Sequence, residues 1–140
     1  MRIKQRANNL ARKHRTRDPY EIASNLRIEI IREPLRRIHG FCDRILRRKF
    51  IIINSNLPAH QQKQTCAHEL GHILLHKGWG YYFMLEHTLF APGQFEREAN
   101  EFAWHLLFDE GFCQYHYDGD IDRYIREEGI AELAKYAKEF

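Results

Sequence analysis

The chain has 140 residues, of which 44% are hydrophobic and 13% aromatic, a size and composition suited to one globular domain and unlike those of a disordered segment. No apolar run approaches the ~20 residues of a membrane span, and the basic start, MRIKQRANNLARKHRTR, lacks the apolar centre and cleavage site of a secretory signal. The net charge of +3 hides an asymmetry: residues 1–50 hold 15 Lys/Arg against 5 Asp/Glu, a net of +10, and residues 51–140 hold 7 against 14, a net of −7.

The elements follow in chain order. Ile3, Ala7, Leu10, Ala11 and His14 recur at helical spacing and predict an amphipathic first helix. TRDPYEIASNL opens a second, with Asp18 as N-cap, Pro19 in the first turn and Glu21 completing a box-like start. LRIEIIRE alternates and is rich in β-branched residues, which predicts a strand ended by Pro34. RRIHGFCDRI and RRKFIIIN predict two more strands as an antiparallel pair, the run Phe50 to Ile53 being the more buried. Pro58 near a start and Gly78 past an end predict one long helix from Pro58 to about Lys77. GWGYYFMLEHTLFAPG reads as an aromatic-rich loop, QFEREANEFAWHLLFDEG as a helix closing at Gly111, and GFCQYHYDGD as a loop. The last stretch is helical at its end, with Gly129 as a break. Helices around a small sheet make this an α+β domain, a single one over residues 1–140. The three cysteines, Cys42, Cys66 and Cys113, are odd in number and lack a paired spacing, so they read as buried thiols of a protein in a reducing cytosol.

The chemistry lies in TCAHELGHILLH, Thr65 to His76. His68 and His72, four apart on a helix, project from one face and can place two nitrogens about 2 Å from one Zn²⁺. Glu69 points about 100° away around the helix and suits a proton acceptor for water at the metal rather than a ligand. The flanking Ala67, Leu70, Ile73 and Leu74 bury this helix, and buried imidazoles and carboxylates need partners. Gly71 inside the helix implies the close approach of another element.

A catalytic zinc needs a third protein ligand. The best segment is FEREANEFAWHLL. Glu96, Ala99, Asn100, Ala103 and Leu107 share one stripe, and Glu98, Phe102 and His105 another. The small residues Ala99 and Ala103 favour the first stripe as the one packed on the histidine helix, which turns Glu96 to the metal and makes Asn100 a hydrogen-bond partner for a ligand histidine. Periodicity prefers Glu96 to Glu98 only slightly. His76 continues the series, but three such histidines span about 12 Å. It suits a helix cap or a carboxylate partner better than a ligand. His87, in the aromatic loop, could hold a transition-state oxyanion, with Tyr81 and Tyr82 as rivals. His14, His39, His60, His105 and His116 have no such spacing.

Three blocks in this order, DPYEIASNLRIEI, then FIIINSNLPAHQQKQTCAHELGHILLH, then EREANEFAWHLL, resemble the ImmA/IrrE family of bacterial and phage metallopeptidases over roughly residues 18–108. The resemblance implies a zincin-like fold, His68, His72 and Glu96 as metal ligands, and Glu69 as the catalytic glutamate. It implies Zn²⁺, with Mn²⁺ also compatible with such ligands. It also implies a cytosolic protein that cuts or inactivates a helix-turn-helix repressor of a phage or mobile element. The sequence departs from the family in carrying LLFDEG where relatives have Met-Pro after the double leucine. The rival reading is a non-catalytic regulator that binds a repressor-like partner, for which Glu69 would have no use. A nucleic-acid binder resting on the basic half lacks any recognition motif.

Overall fold

A computed structural model describes residues 2–76 and 92–137. The order is α1 (Ile3–His14), α2 (Pro19–Asn25), β1 (Ile28–Glu33), β2 (Gly40–Ile45), β3 (Arg48–Asn54), α3 (Ala59–Leu75), α4 (Pro92–Leu107), α5 (Glu110–Tyr117), α6 (Ile121–Glu127) and α7 (Ala131–Ala134). This is the mixed α+β architecture expected from the pattern of elements.

The three strands form one sheet in the order β1-β3-β2. β2 and β3 pair antiparallel, Cys42 opposite Ile51, as the sequence predicts. β1 pairs with β3 in parallel, Ile30 opposite Ile51, so the chain must cross past β3 between β1 and β2. Asn54 pins that crossing. Its Oδ1 accepts from the backbone N–H of Leu35 and of Asn56, and its Nδ2 donates to the carbonyls of Leu35 and Ile38. Gly40 seats β2 against α3, because a Cβ there would lie 2.7 Å from Thr65 Cγ2 and 2.5 Å from the Ile52 carbonyl oxygen.

Ile28, Cys42, Ile51 and Ile53 bury one face of the sheet, and Ile22, Leu70, Phe102, Trp104 and Leu106 complete the core. Burial of this kind contributes ~1.5–3 kcal/mol per large apolar side chain. Asp18 caps α2 through Oδ1, which accepts from the Tyr20 N–H, and Pro19 takes the first turn, as expected. Arg17 donates to the carbonyls of His105 and Leu106, satisfying the C-terminal end of α4. All three cysteines are buried and free.

Two boundaries differ from the sequence reading. α3 ends at Leu75, with His76 rather than Lys77 closing it. α4 ends at Leu107, not Gly111, and the expected loop GFCQYHYDGD is largely helix α5. The cause is Asp109, whose Oδ1 accepts from the Phe112 N–H and starts a new helix. Gly111 therefore sits in a first turn, where glycine does no harm, instead of ending a helix. Gly129 does break the chain between α6 and α7, at φ +69°.

α3 and α4 cross at Gly71. A Cβ there would lie 3.0 Å from Phe102 Cδ1 and 3.3 Å from the Cα and carbonyl oxygen of Ala99. Alanine at this position gains ~1 kcal/mol of helix propensity but overpacks against backbone that cannot yield, at a cost of ~1–3 kcal/mol. Gly71→Ala is expected to lower stability by ~1 kcal/mol, read as a lower thermal midpoint. A raised midpoint would show that the helices part freely.

Candidate metal centre

The apolar residues of α3 fix its orientation. With Ala67, Leu70 and Gly71 fully turned to the core, His68 and His72 are left facing α4. The small side chains of Ala99 and Ala103, both fully buried, bring α4 close enough for Glu96 to meet them. Glu96 Oε2 lies 3.1 Å from His68 Nε2, and Glu96 Oε1 lies 2.9 Å from His72 Nε2. The two Nε2 atoms are 3.2 Å apart. Glu98, the alternative to Glu96, is instead 3.7 Å from His76 Nε2.

Each histidine in the cluster is held from its other nitrogen. His68 Nδ1 lies 2.7 Å from Asn100 Oδ1, and His72 Nδ1 lies 3.1 Å from His76 Nδ1. His76 caps α3 through its backbone N–H to the His72 carbonyl and packs edge-on against Phe95.

Glu69 is buried beside the cluster, Oε2 3.8 Å from His68 Nε2. Its Oε1 is buried with no hydrogen-bond partner among the described residues. Burial raises its pKa, with the nearby His68 and His72 and the Cys42 thiol acting in the opposite direction. Glu96 responds differently. Burial alone would raise its pKa, but hydrogen bonds from His68 and His72 outweigh that and hold it well below the usual carboxylate range. Glu96 is therefore an anion set against two imidazoles.

The donor set fits a divalent cation. The two imidazole nitrogens stand 3.2 Å apart and each lies 2.9–3.1 Å from one of the two oxygens of the Glu96 carboxylate, close to the ~3.3 Å between ligands that sit about 2 Å from one tetrahedral ion. His68, Glu69 and His72 also offer ligand atoms within 4.8 Å of one another, but Glu96 approaches both imidazoles more closely than Glu69 approaches His68. The cluster opens into a groove of about 400 Å³. Ile38, His39 and Gly40 form one wall of it, and Leu133 and Tyr136 are on another.

A family model described as the IrrE N-terminal-like domain, Peptidase_M78, matches residues 23–139. The chain belongs to this family. Relatives of the chain include the uncharacterized immunity region protein 2 of Bacillus phage phi105, 42% identical over 109 residues, which are 77% of this chain and 69% of that protein. Metallopeptidase ImmA of Bacillus subtilis (strain 168) is 31% identical over 110 residues, 77% of this chain but 64% of ImmA. The chain thus spans under two thirds of ImmA's length. The family is one of metallopeptidases, which implies a divalent metal, and His68, Glu69 and His72 form a group that could hold one. No helix among the described residues is long and apolar enough to cross a membrane.

Some groove residues were not legible in the sequence. His39 had no spacing that pointed to the site, yet it lines the groove together with Ile38, Leu133 and Tyr136. These come from the β1–β2 crossing and the C-terminal helices, and no local spacing links them to α3. Cys42 reaches Glu69 in the same way, by sheet register. His14, His60, His105 and His116 take no part in the cluster. His87, Tyr81 and Tyr82 lie outside the described residues.

Proposed function

We propose that the chain is a zinc-dependent endopeptidase of the cytosol whose substrate is a helix-turn-helix repressor of a phage or mobile element. The observation that carries this reading is the convergence of His68, His72 and Glu96 beside a buried Glu69 at an open groove. A relative encoded in a phage immunity region supports the choice of substrate.

His68, His72 and Glu96 hold the metal. A bound divalent cation supplies Lewis acidity, polarising the scissile carbonyl and making water acidic enough to attack near neutral pH. Glu69 accepts the proton that the attacking water loses, through the oxygen that has no hydrogen-bond partner among the described residues. It then delivers that proton to the amide nitrogen as the C–N bond breaks. Burial favours this second role, because a carboxyl with a raised pKa holds its proton until the leaving nitrogen takes it. Glu96, kept anionic by its histidines, balances the charge of the cation. Mn²⁺ is compatible with the same nitrogens and oxygens. The groove receives an extended segment of the substrate, and no direct contact with nucleic acid is required.

Asn100 holds the His68 ring through the 2.7 Å contact. Removing it in Asn100→Ala is expected to weaken zinc binding ~10–100-fold, measured by competition with a chromophoric chelator. Unchanged affinity would remove Asn100 from the centre. The direct test of function is incubation of the zinc-loaded chain with the repressor-like protein encoded beside it. Two fragments that fail to appear when zinc is chelated support the reading. An intact repressor, bound or unbound, contradicts it.

A further inference from the structure

His76 is the histidine of the α3 series that does not face the cluster. Its side chain is buried, and its Nδ1 lies 3.1 Å from Nδ1 of His72. Two ring nitrogens at that separation share one proton, so one donates and the other accepts. The far side of His72 decides which. His72 Nε2 sits within 2.9 Å of Glu96 and 3.2 Å of His68 Nε2. To hold a cation there Nε2 must present a lone pair and give up the proton it otherwise donates to Glu96, so with the cation bound the single proton of the neutral ring is on Nδ1. That N–H donates to His76 Nδ1, which leaves the proton of a neutral His76 on Nε2. His76 Nε2 is buried without a hydrogen-bond partner among the described residues. It faces Glu98 Oε1 at 3.7 Å, an electrostatic contact rather than a hydrogen bond. One tautomer thus dictates the next, from the cluster outward to a carboxylate.

We propose that His76, backed by Glu98, is a positioning residue of the metal centre. It accepts the Nδ1 proton of His72, locks that ring in the tautomer that offers Nε2, and so raises the affinity of the site for a divalent cation. Carboxylate and carbonyl acceptors are the usual partners of ligand histidines. Here an imidazole stands between ligand and carboxylate. His68 needs no such intermediary, because Asn100 reaches it directly. The inference rests on the metal-centre reading but not on catalysis.

The test uses the full chain and zinc alone. Zinc affinity is measured by chelator competition for the unaltered protein and for His76→Ala, His76→Leu and His76→Asn. Asparagine sets a carbonyl oxygen near the place of Nδ1 and keeps an acceptor for His72. Alanine and leucine are expected to weaken zinc ~10–100-fold, and asparagine to restore affinity to within about threefold of the unaltered chain. Leucine as tight as histidine, or asparagine as weak as alanine, reduces His76 to packing and overturns the proposal. Where a variant fails to fold, two-bond ¹H–¹⁵N spectra of the zinc-loaded unaltered chain decide instead. The expected spectrum has His72 protonated at Nδ1 and His76 at Nε2, and His76 protonated at Nδ1 overturns it. Both readouts report on zinc alone, so a failure of the peptidase reading shows separately as an uncut repressor with these values intact.

Discussion

Glu69→Gln is expected to bind zinc as tightly as the unaltered chain and to cut its substrate ~10²–10⁴-fold more slowly, the usual contribution of a positioned general base. The physical reason is that glutamine keeps the shape and the burial of Glu69 but cannot accept the proton. Glu69 Oε2 stands 3.8 Å from His68 Nε2, farther than Glu96 stands from either imidazole, which suits a group beside the cluster better than a ligand in it. The amide removes a buried negative charge, so the fold is not expected to suffer. Metal content by mass spectrometry and cleavage by gel separate the two effects. Undiminished cleavage would take the base role away from Glu69. Lost zinc would make it a ligand.

The second large effect is expected from His72→Ala. His72 is almost wholly buried between His68, Glu96 and His76, so its removal takes away a ligand and leaves Glu96 with one imidazole instead of two. Cleavage is expected to be lost altogether, and the thermal midpoint to stop responding to zinc. For the unaltered chain, zinc at ~1,000 times its dissociation constant adds ~4 kcal/mol, which raises the midpoint of a domain this size by roughly 10 °C or more. A zinc-dependent shift that survives in His72→Ala would place the metal elsewhere.

Proton competition gives a third expected result. Burial would lower the pKa of His68, but the hydrogen bond it donates to Glu96 and the charge of Glu69 raise it above the ordinary histidine value of 6.5. A raised pKa means the proton is held to a higher pH, so it competes with the cation over a wider range. Zinc affinity is therefore expected to fall as pH decreases, beginning above pH 6.5. Affinity that stays flat from pH 8 to 5.5 would contradict a site built on His68.

The cluster was legible because its geometry is local. His68 and His72 share a face by helical spacing, and the stripe of Ala99 and Ala103 favoured Glu96 over Glu98 only slightly. The structure brings Glu96 to the histidines and sends Glu98 to His76. Gly71 implied a close neighbour, and Phe102 and Ala99 are there. The parallel pairing of β1 with β3 was hidden because it depends on a crossing held by one buried side chain, Asn54, whose four bonds reach as far as Leu35. α5 was hidden because Asp109 restarts a helix where Gly111 suggested an end. The groove walls at Ile38, His39, Leu133 and Tyr136 join the site only through tertiary packing, which leaves no periodic trace in the chain.

The central claim is that two imidazoles and one carboxylate from α3 and α4 grip a single cation. Zinc K-edge X-ray absorption on the loaded full chain tests it most directly. Two histidine nitrogens at about 2.0–2.1 Å with the remaining ligands oxygen, and that signature lost in both His72→Ala and Glu96→Ala, is the expected result. Sulfur at about 2.3 Å, or a spectrum unchanged by either substitution, would contradict it.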